Sequence, residues 1–140
     1  MTSEPFATGR CLCGAVRITA KAKPMAMAQC HCRDCQRVSG TGHTSNALFN
    51  AASVEVTGET ASYAVKADSG NTFTRHFCPT CGSRVFALNS GRPGKIILAA
   101  GAFDDSRWFS PQVVLYARSR HNWDTADDDV PRFEAMPPAR

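Results

Sequence analysis

No stretch of this chain is apolar for long enough to cross a bilayer, and Met1 to Arg10 hold no apolar core of signal-peptide length. The expectation is a cytoplasmic protein with no membrane partner. Charge of one sign is never concentrated either. The net charge of +4 comes with basic residues scattered as Arg33, Arg37, Arg75, Arg84, Arg92, Lys95 and Arg118, so the sequence offers no electrostatic footprint for nucleic acid. There is no glycine-rich phosphate loop, no nucleotide or flavin motif, and no internal repeat beyond paired cysteines. With 140 residues and a hydrophobic fraction of 43%, the chain has the size and composition of one globular domain.

Cysteine is what the chain does have. Six of its seven cysteines form the pairs Cys11-x-Cys13, Cys30-x-Cys32 and Cys78-x-x-Cys81, and Cys35 extends the middle pair to Cys30-His31-Cys32-x-x-Cys35. A closed structural zinc takes four ligands, whereas an open one takes three and leaves a position for water or substrate. Three cysteines within six residues can close on one ion without distant chain, which makes Cys30, Cys32 and Cys35 the natural open triplet. Cys11/Cys13 and Cys78/Cys81 then supply two halves of a structural site that clamps the start of the chain to its second half. Two zinc ions per chain are expected. Spacing alone leaves other sharings open, and His31, His43, His76 or His121 can complete the triplet site. Disulfides fit less well, because the count is odd and nothing marks the chain for export.

Short β-branched and aromatic segments outnumber helical ones and predict a mainly β, antiparallel domain. Strands are expected at Ala15–Ala20, Met25–Cys30, His43–Phe49, Ser53–Thr57, Ala61–Lys66, Thr72–Phe77, Lys95–Gly101 and Val113–Ala117. One short helix is expected over Cys32–Ser39, with Cys32 and Cys35 on one face. Beyond Pro131 the chain should run over the surface or fray.

The chemistry is expected at the triplet. Three thiolates on zinc leave a net charge of about −1, a poor arrangement for activating water but a good one for a soft thiol substrate. Cys30, Cys32 and Cys35 are therefore the candidate catalytic residues, with Arg33 and Arg37 offering charge to a carboxylate-bearing ligand. The stretch Ser39 to Asn46 offers hydroxyl and backbone donors on a flexible loop, and His31 and His43 are candidate proton carriers. In Phe77-Cys78-Pro79-Thr80-Cys81-Gly82, backbone N–H groups can donate to the first sulfur while Gly82 takes a positive φ. Asp104-Asp105 reads as a turn.

In Gly9-x-Cys11-x-Cys13-Gly14-x-Val16, Cys30-His31-Cys32-x-x-Cys35 and Gly70 through Arg75-x-Phe77-Cys78-x-x-Cys81-Gly82-Ser83, the chain resembles the glutathione-dependent formaldehyde-activating enzyme family, whose relatives include centromere protein V. The resemblance continues through Gly101-x-Phe103-Asp104-Asp105, Ser119-Arg120-x-x-Trp123 and Asp128-Asp129-Val130-Pro131-x-Phe133, spanning about residues 9 to 133. It implies a β-tent-like zinc-binding fold, a structural zinc on Cys11, Cys13, Cys78 and Cys81, and a second zinc on Cys30, Cys32 and Cys35. It also implies a carbon-sulfur lyase activity, the condensation of glutathione with formaldehyde, so a small thiol and an aldehyde are the expected partners. In the Ser119–Trp123 motif, Trp123 is expected as a core plug, with Arg120 paired to Asp127, Asp128 or Asp129. A noncatalytic zinc scaffold and a thiol redox sensor at the triplet are the competing readings.

Overall fold

The computed structural model describes residues 4–126 and 129–137. Its strands are β1 (Ala7–Arg10), β2 (Arg17–Ala20), β3 (Ala26–Cys30), β4 (Thr44–Asn50), β5 (Val54–Thr57), β6 (Ala61–Lys66), β7 (Thr72–Phe77), β8 (Arg84–Asn89), β9 (Lys95–Ala99) and β10 (Val113–Leu115). A helix, α1 (Arg33–Ser39), joins β3 to β4. Two sheets result, a small one ordered β1-β2-β5 and a large one ordered β10-β3-β4-β9-β8-β7-β6.

Two-residue alternation explains which faces are buried. In β2, Ile18 and Ala20 turn inward; in β4, Ala47 and Phe49 do; and in β8, Val85 does. With Ile96 and Leu98 from β9 they form one core, joined by Val16 and Phe103 and by the thiol-bearing Cys11 and Cys78. Phe49, fully buried, lies 5.9 Å from the Phe103 ring and edge-on to Trp108 at 6.3 Å. Burying such a side chain contributes roughly 1.5–3 kcal/mol, so this aromatic cluster is a main source of cohesion between the sheets.

The mainly β, antiparallel architecture matches the expectation, and most strand ends fall within two residues of those read from the sequence. Two strands were missed. β1 has no apolar alternation and exists because it pairs with β2 and docks at Gly9, which bridges to Phe103. A Cβ at Gly9 would lie 2.1 Å from the Ala102 carbonyl oxygen, so only a bare Cα permits this approach. β8 alternates well but follows directly on the Cys78–Gly82 turn, whose cysteines dominate the local pattern. One pairing between strands is not antiparallel: β10 runs parallel to β3, with Val113 opposite Ala28 and Leu115 opposite Cys30.

One further expectation changes. Trp123 is not a core plug: it is 63% exposed and stacks on His121, with ring centroids 4.8 Å apart. Arg120 donates to the carbonyls of His121 and Asp124, while Asp127 and Asp128 lie outside the described residues. Beyond Pro131 the described chain runs over the surface, the first of the two expected outcomes, and follows the edge of the large sheet. Phe133 N–H donates to the Val114 carbonyl and Ala117 N–H to the Phe133 carbonyl, each at 2.9 Å, so this segment caps the outer side of β10. Asp105 does form a local turn, taking Arg107 in a two-pronged pair.

Candidate metal centres

The four cysteines from the two distant pairs meet. Cys11 and Cys13 lie just beyond β1, Cys78 and Cys81 just beyond β7, and their four sulfurs all lie within 4.8 Å of one another. Cys13 Sγ is 3.6 Å from Cys11 Sγ and 3.7 Å from Cys78 Sγ. Backbone donors face the sulfurs as metal-binding turns require: Val16 N–H points to Cys11 Sγ at 3.2 Å, and Cys81 N–H to Cys78 Sγ at 3.5 Å. Gly82 takes the expected positive φ, 79°. Ser83 joins the halves, its hydroxyl 3.2 Å from Cys81 Sγ while its oxygen accepts the Leu12 N–H. That hydroxyl and the Ser83 N–H pull the Cys81 thiol down to about 5. A donor set of four clustered sulfurs, supported by N–H groups, fits a closed tetrahedral ion.

The triplet is assembled by the end of β3 and the start of α1. Cys30 closes the strand, Cys32 caps the helix by accepting the Cys35 N–H at 3.2 Å, and Cys35 follows one turn in. Their sulfurs also lie within 4.8 Å of one another. Hydrogen bonds from Cys30 and Cys32 hold the Cys35 thiol far below its usual value, while the same contacts and burial drive Cys30 up. Three thiols are thus competing for one negative charge, a cluster that a cation would relieve. Cys30 and Cys35 are buried and Cys32 is half-buried.

The charge beside the triplet comes from β7 and β8 more than from α1. Burial pushes the Arg84 guanidinium down, and the thiolates of Cys35 and Cys30 draw it back up; Arg75 in turn favours the Cys35 thiolate. Arg75 and Arg84 share the wall of a 360 Å³ cleft with Arg37. Arg33 is instead tied to Gln36 Oε1 at 2.6 Å and to His121. A second cleft, of 620 Å³, is lined by His43, Thr44 and Ser45 on one side and by Ser83 and Arg84 on the other. Thr44 and Ser45 are therefore strand residues on a cleft wall, Asn46 continues the strand, and the expected loop ends at His43. None of the triplet sulfurs lines either cleft, and Arg84 is the residue common to both clefts that also acts on them.

No histidine groups with the triplet among the described residues. His76 stacks on Phe86 with centroids 4.3 Å apart, and His121 bonds Gln36 Oε1 at 2.8 Å. His31 and His43 instead meet each other and Asp124. Asp124 escaped the sequence reading, as did the roles of Arg75 and Arg84, since nothing local separates them from surface charge. The only available signal was position: Asp124 directly follows the Ser119–Trp123 motif.

The fold and its thiol clusters define a mainly antiparallel β protein whose cysteines are arranged to hold metal ions. The chain belongs to the glutathione-dependent formaldehyde-activating enzyme family, whose profile matches residues 6–119. Among solved structures it is similar to a crystal structure of a Rhodobacter sphaeroides protein, with a TM-score of 0.56 at 17% identity over 90% of this chain and 99% of that one. That likeness concerns the fold. No curated protein matches. No helix is long and apolar enough to cross a membrane among the described residues.

Proposed function

We propose that the chain, acting as a single domain over residues 1–140 in the cytoplasm, binds glutathione or a similar thiol at Cys30, Cys32 and Cys35 and acts on its adduct with formaldehyde. Zinc is the ion we assign to this triplet, and a second, structural zinc to Cys11, Cys13, Cys78 and Cys81. An ion held by the triplet lowers the pKa of an incoming thiol and keeps its sulfur as thiolate. The chain's own residues bind and orient. Glutathione carries two carboxylates, and Arg37, Arg75 and Arg84 place three guanidinium groups around the 360 Å³ cleft beside the sulfurs. Cys32, the least buried of the three residues, is the one we assign to meet the incoming thiol, while buried Cys30 and Cys35 anchor the site.

In the forward reaction the glutathione sulfur forms a bond to the formaldehyde carbon, the carbonyl π pair moves to oxygen, and the proton lost by the thiol ends there. The product is S-hydroxymethylglutathione, and its reversal is a carbon-sulfur lyase step. The observation that carries the reading is the convergence of three thiols within 4.8 Å of one another, with Arg75 and Arg84 together on the wall of one cleft. Isothermal titration with glutathione tests it. Metal-dependent binding should vanish in Cys32→Ser, and binding that survives removal of the triplet ion would refute coordination as the basis of recognition.

A further inference from the structure

We propose that His31, His43 and Asp124 form a separate nitrogen-and-oxygen metal site that takes a divalent transition ion of borderline softness, such as zinc, through two imidazole nitrogens and one carboxylate oxygen. The three ligand atoms lie within 4.8 Å of one another. His31 Nδ1 is 3.4 Å from Asp124 Oδ2, and His43 Nδ1 donates to the same oxygen at 2.7 Å. Ligand bonds of about 2.0–2.1 Å place neighbouring donors about 3.0–3.4 Å apart at 90–109°. One edge already has that length, and the other opens by a few tenths of an ångström when the ion replaces the His43 proton.

The fold builds this site from the same strand ends that build the thiol triplet. Cys30 stands opposite Thr44 in the β3–β4 register, so the next step outward sets His31 opposite His43. Strand alternation turns these two rings away from Cys30 and Thr44, and their centroids are 5.0 Å apart.

Two independent features point to a missing partner. The His31 side chain is completely buried, yet neither ring nitrogen is in a well-formed hydrogen bond, and Nδ1 has the 3.4 Å approach to Asp124 in its place. A buried imidazole held by so long an approach is poorly satisfied, and a bound ion relieves that. Gly42 is the second feature: a Cβ there would sit 2.2 Å from Asp124 Oδ2, so the bare backbone is what lets the carboxylate reach the two rings. His43, with a 22% exposed side chain, lines the 620 Å³ cleft and gives the ion an entry path and an open coordination position. Two imidazoles and a carboxylate suit ions of the zinc and iron(II) kind.

The test is a zinc titration of the full chain under reducing conditions, followed by bound-metal content and by the histidine-ring ¹⁵N resonances. Wild type should hold about one zinc per chain more than His43→Ala, Asp124→Asn or Gly42→Ala. Zinc should also move the ring nitrogens of His31 and His43 in the wild-type chain, a readout that needs no variant to fold. The comparison is a difference, so it stands whether or not the thiol clusters are filled. Equal zinc in wild type and folded variants, or His31 and His43 resonances unmoved at saturating zinc, would overturn the assignment.

Discussion

Replacing Gly9 by alanine should loosen the four-cysteine centre without touching a sulfur. The new Cβ would lie 2.1 Å from the Ala102 carbonyl oxygen and 2.7 Å from Phe103 Cα, whereas ordinary contact begins at 3.4 Å. Both neighbours are backbone, so β1 must retreat by about 1.3 Å from the Ala102 carbonyl. Cys11 is two residues away and moves with it. Metal sites tolerate ligand displacements of only about 0.2 Å, so the shift is several times what a closed tetrahedral ion can absorb. Overpacking of this kind costs roughly 1–3 kcal/mol, or about 4–10 °C in melting temperature for a chain of this size. Zinc-loaded protein would be challenged with a chromogenic chelator while its melting temperature is followed separately. Gly101→Ala, where an added Cβ meets nothing within 4 Å, serves as the control. The expected result is faster release of one zinc and a lower melting temperature in Gly9→Ala alone. Wild-type release kinetics in Gly9→Ala would show that β1 docking does not position Cys11.

Phe49→Ala should destabilise the chain by about 3–5 kcal/mol, measured by urea denaturation at fixed metal, because a fully buried ring that packs against Phe103 and Trp108 leaves a cavity. Arg37→Ala should weaken glutathione binding by up to about tenfold while leaving a neutral thiol such as 2-mercaptoethanol unaffected; equal losses for both would remove carboxylate recognition from the cleft. Tyr116 gives a pH dependence. Burial, and donation of its hydroxyl to Asp68 at 2.8 Å, raise its pKa above the ordinary value of 10.0. The folded form therefore holds a proton that the unfolded chain releases near pH 10, so this contribution is complete below pH 10 and is lost as pH rises through the folded value. Alkaline melts of Tyr116→Phe should lack that slope.

The sequence carried the thiol sites because their information is local or chemically distinctive. Cys30, Cys32 and Cys35 sit within one strand end and one helical turn, and Cys78–Gly82 prescribes its own geometry. Strands such as Ala61–Lys66 and Thr72–Phe77 were legible for the same reason, since their character is written every second residue. What was hidden depends on contacts across the chain. β1 is set by an approach at Gly9 made possible by residues near 102, and Arg84 gains its role from tertiary folding that brings its charge within reach of the Cys30 and Cys35 thiolates. Trp123 misled because a large aromatic ordinarily seeks the core, whereas here it stacks on His121 at the surface. Asp124 is an ordinary acidic residue until β3 and β4 bring two histidines to it.

The two thiol clusters also differ in how they can come into being. Cys32 and Cys35 are three positions apart, whereas Cys13 and Cys78 are separated by 65. Closing the longer loop carries an entropic penalty greater by roughly 3 kcal/mol. The triplet can gather around an ion in a chain that has folded nothing else. The four-cysteine cluster cannot close until β1 and β7 have been brought together. During assembly the first is a nucleus and the second a latch, and the order in which they fill is a clock for the folding of the sheets between them.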